Sequence, residues 1–334
     1  MGHPFGKQAL TLLAACALPL LAGSVRIYQT NSAGDDLDVI DPATNKVVMK
    51  IKDLEAAHGV AFSPNGARAY ITCEADSTVW VVETKDGRLL SKIPLSGHPN
   101  NIAVSNDGRR VFAAIVTAPG AVDVIDAATL KNVKTIPVKG NAHNVYVTPD
   151  GKFAVVGSVV GKSVTVIDES TLEPVWDMAF DEGVRPIAFE RAADGSTGRM
   201  FVQLSNLHGF AVVDFKARKE IERVKLPDEP KRGMAHSGAP SHGIAVSPDG
   251  KMLWVDSSLA SGVFAYSLPD LKLMGNVPTG STPDWLTFTP DSKLVYVANA
   301  GENYVSAVNT QTLREVARIA VGEVPKRNGT VTVR

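Results

Sequence analysis

His58, Asn100, His143, His242 and Asp284 each stand eight positions before the second residue of a turn-forming pair, and Arg185 takes the same place when "RPIAF" is set against "HGVAF". Polar side chains recurring at one offset invite a chemical reading. Neutral imidazoles at His58, His143 and His242, converging on a centre, would suit copper or another divalent ion such as zinc, with Asp284 or Glu74 adding a carboxylate. The mixture of His, Asn, Arg and Asp reads equally as a recognition mouth for a small polar or anionic ligand or a peptide. Arg185 would supply the anion contact, and Lys231 and Arg232 are further cations nearby in sequence. A cation among the histidines opposes a metal by like-charge repulsion. The plainest alternative is a set of channel-side polar groups bonded to water.

The elements that would position these residues form a repeat. "HGVAFSPNGARAYITC", "NIAVSNDGRRVFAAIV", "HNVYVTPDGKFAVVGS", "HGIAVSPDGKMLWVDS" and "DWLTFTPDSKLVYVAN" are variants of one pattern, with a divergent copy at Arg185. Each unit holds four short, alternating, β-branched runs between turn residues, which predicts a four-stranded antiparallel meander. Asn65-Gly66, Asp107-Gly108, Asp150-Gly151, Asp194-Gly195 and Asp249-Gly250 offer the positive-φ turn between the first and second strands. Asp41, Asp126, Asp168, Asp214 and Asn309 open the turn between the third and fourth, so turn formation accounts for these acids without catalysis.

Such units arranged radially make a β-propeller. Six are complete; the N-terminal unit has three strands, and "GTVTVR" at the end of the chain is an orphan. Pairing the two predicts a seventh blade closed by Thr330 to Val333, and Asn328 is aligned with the ring position of that strand. In an up-and-down blade the ring shares its face with the loops between second and third strands. Those loops hold Asn31, Glu74, Thr117, Ser158, Asn206, Ser257 and Asn299, together with His208. His98 and His236 precede inner strands on the same side. The insertion "LPDEPKRGMAHSGAPS", residues 226 to 241, projects there and would serve as a lid or binding loop. Trp80 and Trp254 read as blade packing, and so in the first place does Trp285, which follows Asp284 at the channel mouth and has stacking on a ligand as its alternative.

With 334 residues, 44% hydrophobic and 21% charged, the composition is that of a folded globular chain, and a net charge of −1 gives no general attraction to nucleic acid. Lys7, the apolar run Ala9 to Ala22 and small residues at its end predict a signal peptide over residues 1–24, with one propeller domain over 25–334. "LAAC" ending at Cys16 resembles a lipoprotein signal, which would add a lipid anchor as the membrane contact. Beyond the signal only Cys73 remains, so no internal disulfide can form, and the absence of Cys-x-x-Cys-His excludes a covalent c-type haem.

"VIDPATNKVV", "IPVKG", "IAVSPDG" and "VYVAN" together resemble the YVTN family of bacterial and archaeal β-propeller repeat proteins, over roughly residues 25 to 334. The resemblance implies the fold and leaves function open. More distantly the repeats are similar to the propellers of cytochrome d1 and nitrous oxide reductase, which implies haem or copper at the face. Streptogramin-inactivating lyases, also seven-bladed, imply a face histidine with a divalent ion, a role that this resemblance would give to His242 or His236 as general base with Glu74 as the carboxylate assisting the metal. The sequence therefore predicts an exported, periplasmic or secreted monomer that binds a ligand at its histidine-bearing mouth. A metal-dependent enzyme or redox protein and a protein-interaction scaffold are the alternatives.

Overall fold

The computed structural model describes residues 1–2, 23–228, 233 and 239–334. The leader with Cys16, most of the insertion after blade five, and Lys231, Arg232 and His236 lie outside the described residues. Among the described residues twenty-eight strands form seven four-stranded antiparallel sheets, each a blade, which is the expected seven-bladed propeller. Blade one takes its inner strand, Pro325–Val333, from the far end of the chain, paired to Ser24–Asn31. The closure reaches from Ser24 opposite Val333 to Asn31 opposite Pro325, longer than the stretch the sequence indicated.

Local chemistry fixes each blade. Gly66, Gly108, Gly151, Gly195 and Gly250 all adopt positive φ, between 68° and 84°, as the inner turns require. Gly66 shows why no side chain would do, since a Cβ there would sit 2.0 Å from the Thr332 carbonyl oxygen. Asp41, Asp126, Asp168 and Asn309 accept backbone N–H bonds from residues two or three ahead, confirming the turn reading of these acids. Alternation then places one apolar face of every strand against the next blade. Between blades one and two, Tyr28, Leu37 and Val39 meet Ile71, Trp80 and Val82, all buried. Between six and seven, Trp254 is fully buried beside Val263, Phe288 and Val297.

The outer strands expose single apolar residues such as Val133 and Val316 between lysines and arginines. Charges and short length blunt these edges against self-pairing.

One core-facing acid departs from turn duty. Glu169, 9% exposed at the blade-four turn, has a buried Oε1 without a hydrogen-bond donor. Burial, then repulsion from Asp107, pushes its carboxyl up to about 7. The folded chain thus holds a proton that the unfolded chain releases near the ordinary carboxylate range, so stability falls as pH rises from about 4.5 through 7. Glu169→Gln is expected to stabilise by about 1–2 kcal/mol at pH 8 and to do nothing at pH 4. Urea unfolding at the two pH values measures this, and equal effects at both would discard it.

Candidate functional site

Five of the seven inner strands begin at one end of the central channel with a small or apolar residue that pairs to the second strand: Ala57, Pro99, Val184, Pro283 and Pro325. A register shift follows in each case, and it turns the next residues toward the channel. Of the predicted ring, His58, Asn100, Arg185 and Asp284 occupy these positions, while His143 and His242 stand just before the shorter inner strands Asn144–Val147 and Ile244–Val246, whose pairing has no shift. In the closing strand the equivalent of His58 is Lys326, directly after Pro325, and not Asn328 as the sequence alignment had it. Asn328 lies beyond the shift, opposite Gln29, with its amide bonded to Gln29 Oε1 and the Tyr296 carbonyl.

The mouth is packed. His58, Asn100, His242 and Asp284 are each no more than 8% exposed. Beneath them lies Arg327, 2% exposed, whose side chain spans the channel. Its Nη1 donates to Asn144 Oδ1 at 2.7 Å and its Nη2 to Asn100 Oδ1 at 2.6 Å, while its guanidinium lies 4.2 Å from the Trp285 ring centroid. Trp285, read in the first place as packing, thus stacks on a residue of its own chain. Arg327 N and carbonyl both bond Thr30, and the Thr30 hydroxyl also reaches the His58 carbonyl, so blade one stitches to blade two at the mouth. Thr72 repeats the stitch to blade three through the Asn100 carbonyl.

These contacts set the histidine tautomers. Arg327 claims Asn144 Oδ1, so Asn144 Nδ2 faces His143 Nδ1 at 2.6 Å, which makes that nitrogen the acceptor and leaves the proton on Nε2. His242 Nδ1 donates to the Asp284 carbonyl at 2.8 Å. His58 Nδ1 lies 2.5 Å from Glu74 Oε1, and His98 Nε2 is 3.5 Å from Glu74 Oε2. Burial pushes His58 down to about 4 and His242 to about 3, and His143 also falls well below its ordinary value through burial and the Arg327 charge. All three imidazoles are neutral at pH 7. For Glu74, burial acts upward, but the bonds from His58 and His98 outweigh it and hold the carboxylate low.

His242 N and Gly243 N donate to the two oxygens of Asp256, a fully buried carboxyl that burial raises well above its ordinary range. Lys326 Nζ approaches Asp284 Oδ1 at 3.3 Å, and Arg185 Nε donates to Ser205 Oγ at 2.9 Å. His208 Nε2 pairs with Ser257 Oγ at 2.7 Å, and the Asn299 amide turns inward to Ser306 and the Gly280 N–H.

The three expected metal ligands are not gathered into one donor set. His143 and His242 are neighbours at 6.2 Å between ring centres, while His58 turns to Glu74. Among the described residues no group of three or more His, Cys, Asp or Glu side chains could hold a metal ion. The positive Lys326 and Arg327 give the physical reason, since they press on these imidazoles and disfavour a further cation. Lys326, Arg327, Asn144 and Asp256 are the residues that sequence reasoning missed. One signal was available: Pro325-Lys326 repeats the Pro99-Asn100 and Pro283-Asp284 pairs.

Fold and mouth together define a seven-bladed propeller with a polar, cation-bearing channel end. The family described as "Lactonase, 7-bladed beta-propeller" matches residues 122–324, more than half the chain, and the protein belongs to it. A second family, "Cytochrome D1 heme domain", matches residues 27–147. Curated relatives named uncharacterized protein YncE, from Salmonella typhi and Salmonella typhimurium, are 34% identical over 124 residues, 35% of this chain and 34% of theirs. The chain therefore spans about a third of the curated relatives it matches.

Among solved structures, hydrazine synthase of Kuenenia stuttgartiensis is similar at TM-score 0.75 and 20% identity, over 90% of this chain and 99% of that one. The periplasmic gluconolactonase PpgL of Pseudomonas aeruginosa gives 0.74 and 18%, over 93% and 100%. A functionally unknown protein of Desulfotomaculum acetoxidans gives 0.79 and 10%, over 92% and 99%. At these identities the likeness is one of fold. The residues do not fit a haem held in the channel. Arg327 fills the space beneath the ring, and His58 and His143 are turned to Glu74 and Asn144.

Proposed function

We propose that this chain is an exported binding propeller that takes a small organic anion, such as a sugar acid, at the histidine-bearing mouth. The observation that carries the reading is the convergence of Arg185, Lys326 and Arg327 on a mouth whose histidines are held neutral by burial. Positive charge in a low-dielectric recess focuses an anion, and charge-assisted bonds to it are the stronger kind. His143, with its proton on Nε2, adds a neutral donor. The apolar leader read in the sequence supports export, as does the fold shared with a protein named periplasmic gluconolactonase.

Calorimetric titration with gluconate and phosphogluconate, using glucose as the uncharged control, tests this. Both anions are expected to bind and glucose not to. Arg185→Ala should weaken the anions by about tenfold to a hundredfold, the worth of one charged hydrogen bond. Equal binding of glucose, or no change in Arg185→Ala, would remove the reading. Affinity is also expected to be flat from pH 5 to 8, because burial keeps His58 and His242 neutral throughout this range. A tenfold rise in affinity on acidification through pH 6.5 would make a histidine the anion's partner instead.

A second reading is lactone hydrolysis at the same mouth. Family membership and the 2.5 Å His58–Glu74 pair favour it, because the carboxylate orients an imidazole that can take a proton from water. Acid release from gluconolactone, followed by pH-stat and abolished in Glu74→Gln, is its expected signature.

A further inference from the structure

At the opposite end of the channel a bowl of about 690 Å³ opens among the last residues of the inner strands. That volume lies in the range of small-molecule sites. Its wall carries Phe62, Tyr146, Phe189 and Trp285, from blades two, four, five and seven, with Ile244 between them. Among the described residues that line it, Arg191 is the one charged side chain, and no carboxylate reaches it. In a chain with 35 acids and 34 bases that imbalance is informative.

Behind the wall lies a second positive charge. Arg327 stacks on Trp285 at 4.2 Å, and Tyr146 and Arg327 lie within one another's field. The Tyr146 hydroxyl is buried there, within reach of the Arg327 side chain and the Ile187 backbone. The bowl therefore pairs aromatic surface with positive potential.

We propose that this bowl is a second binding site, for an apolar organic acid: a ring system seated on Trp285, Tyr146 and Phe189, its acidic group met by Arg191 at the rim. Ring-on-ring contact supplies the affinity, and the cations select the anion over its neutral analogue. The site is independent of ligand binding at the histidine-bearing mouth, from which Arg327 separates it.

Fluorescence titration of the whole chain with anilinonaphthalene sulfonate, and with phenylnaphthylamine as the same ring system without the acid, tests the assignment. One equivalent of the sulfonate is expected, with dissociation in the micromolar range and binding at least about tenfold tighter than the amine. Arg191 is exposed, so Arg191→Ala keeps the fold and should weaken the sulfonate several-fold while leaving the amine unchanged. Ala245→Trp, at a position that lines the bowl and packs against the core between blades six and seven, should abolish both, with the circular dichroism spectrum as the check on folding. Sulfonate binding that survives Ala245→Trp in a folded protein overturns the site. Displacement by gluconate puts the probe at the other mouth and overturns it equally, and tight binding of the amine overturns the preference for an acid.

Discussion

A chain ending at Val324 is expected to yield no stable monomeric propeller. The lost strand, Pro325–Val333, supplies the inner edge of blade one and buries Pro325, Arg327, Asn328 and Val331. Its backbone pairing runs from Ser24 to Asn31, and its Thr330 hydroxyl reaches the Phe288 carbonyl of blade seven. At about 0.5–1.5 kcal/mol for each hydrogen bond, with the packing added, the strand contributes on the order of 5–10 kcal/mol. That is comparable with the whole stability of a domain. Removing it also uncovers the inner edge of Ser24–Asn31, a template for pairing with another chain. Size-exclusion chromatography and thermal melting would show aggregation and no cooperative transition. A monomer melting within a few degrees of the parent would mean that the other six blades hold the ring unaided.

Arg327→Met is expected to abolish anion binding at the histidine-bearing mouth while leaving stability within about 2 kcal/mol of the parent. The guanidinium is 2% exposed, and both of its hydrogen bonds go to neutral amide oxygens. Burial lowers its pKa, the mark of a charge held in place against its solvation. Methionine fills similar space without that cost, and what it gives up are the bonds to Asn100 and Asn144, about 1–3 kcal/mol for each orphaned group. The two terms nearly cancel for folding. For binding nothing offsets the loss, because the innermost positive charge and the tautomer of His143 go together. Gluconate affinity should fall at least a hundredfold with the melting temperature little changed. Unaltered affinity would make Arg327 a structural plug and move the anion contact to Arg185 and Lys326 alone.

Most of the architecture was legible because turn chemistry repeats. Asp-Gly and Asn-Gly pairs mark the inner hairpins, Asx residues the outer ones, and counting back from the former places His58, Asn100, His143 and His242 on one ring. The same counting fails where its marker is missing. No Gly turn follows the closing strand, so Asn328 was aligned where Lys326 stands. What the ring residues do to one another was not legible at all. The Arg327–Asn144–His143 relay joins blades one and four, and Asp256 is matched to two backbone N–H groups by a fold that brings distant residues together. The gathering of three histidines failed for a related reason. The repeat puts them on one ring, but it says nothing of the Glu74 and Asn144 partners that turn two of them away from a common centre.

The strand that shuts the ring is also the strand that carries Lys326 and Arg327. A molecule held between Arg185 on blade five and Lys326 on blade one would span the channel like a spoke across a wheel. Any loosening of the seam would then have to tear that spoke as well as unzip a ladder of backbone bonds. Occupancy of the mouth should accordingly slow amide exchange most along Pro325–Val333, far more than in blades that touch the same molecule but do not close the hoop.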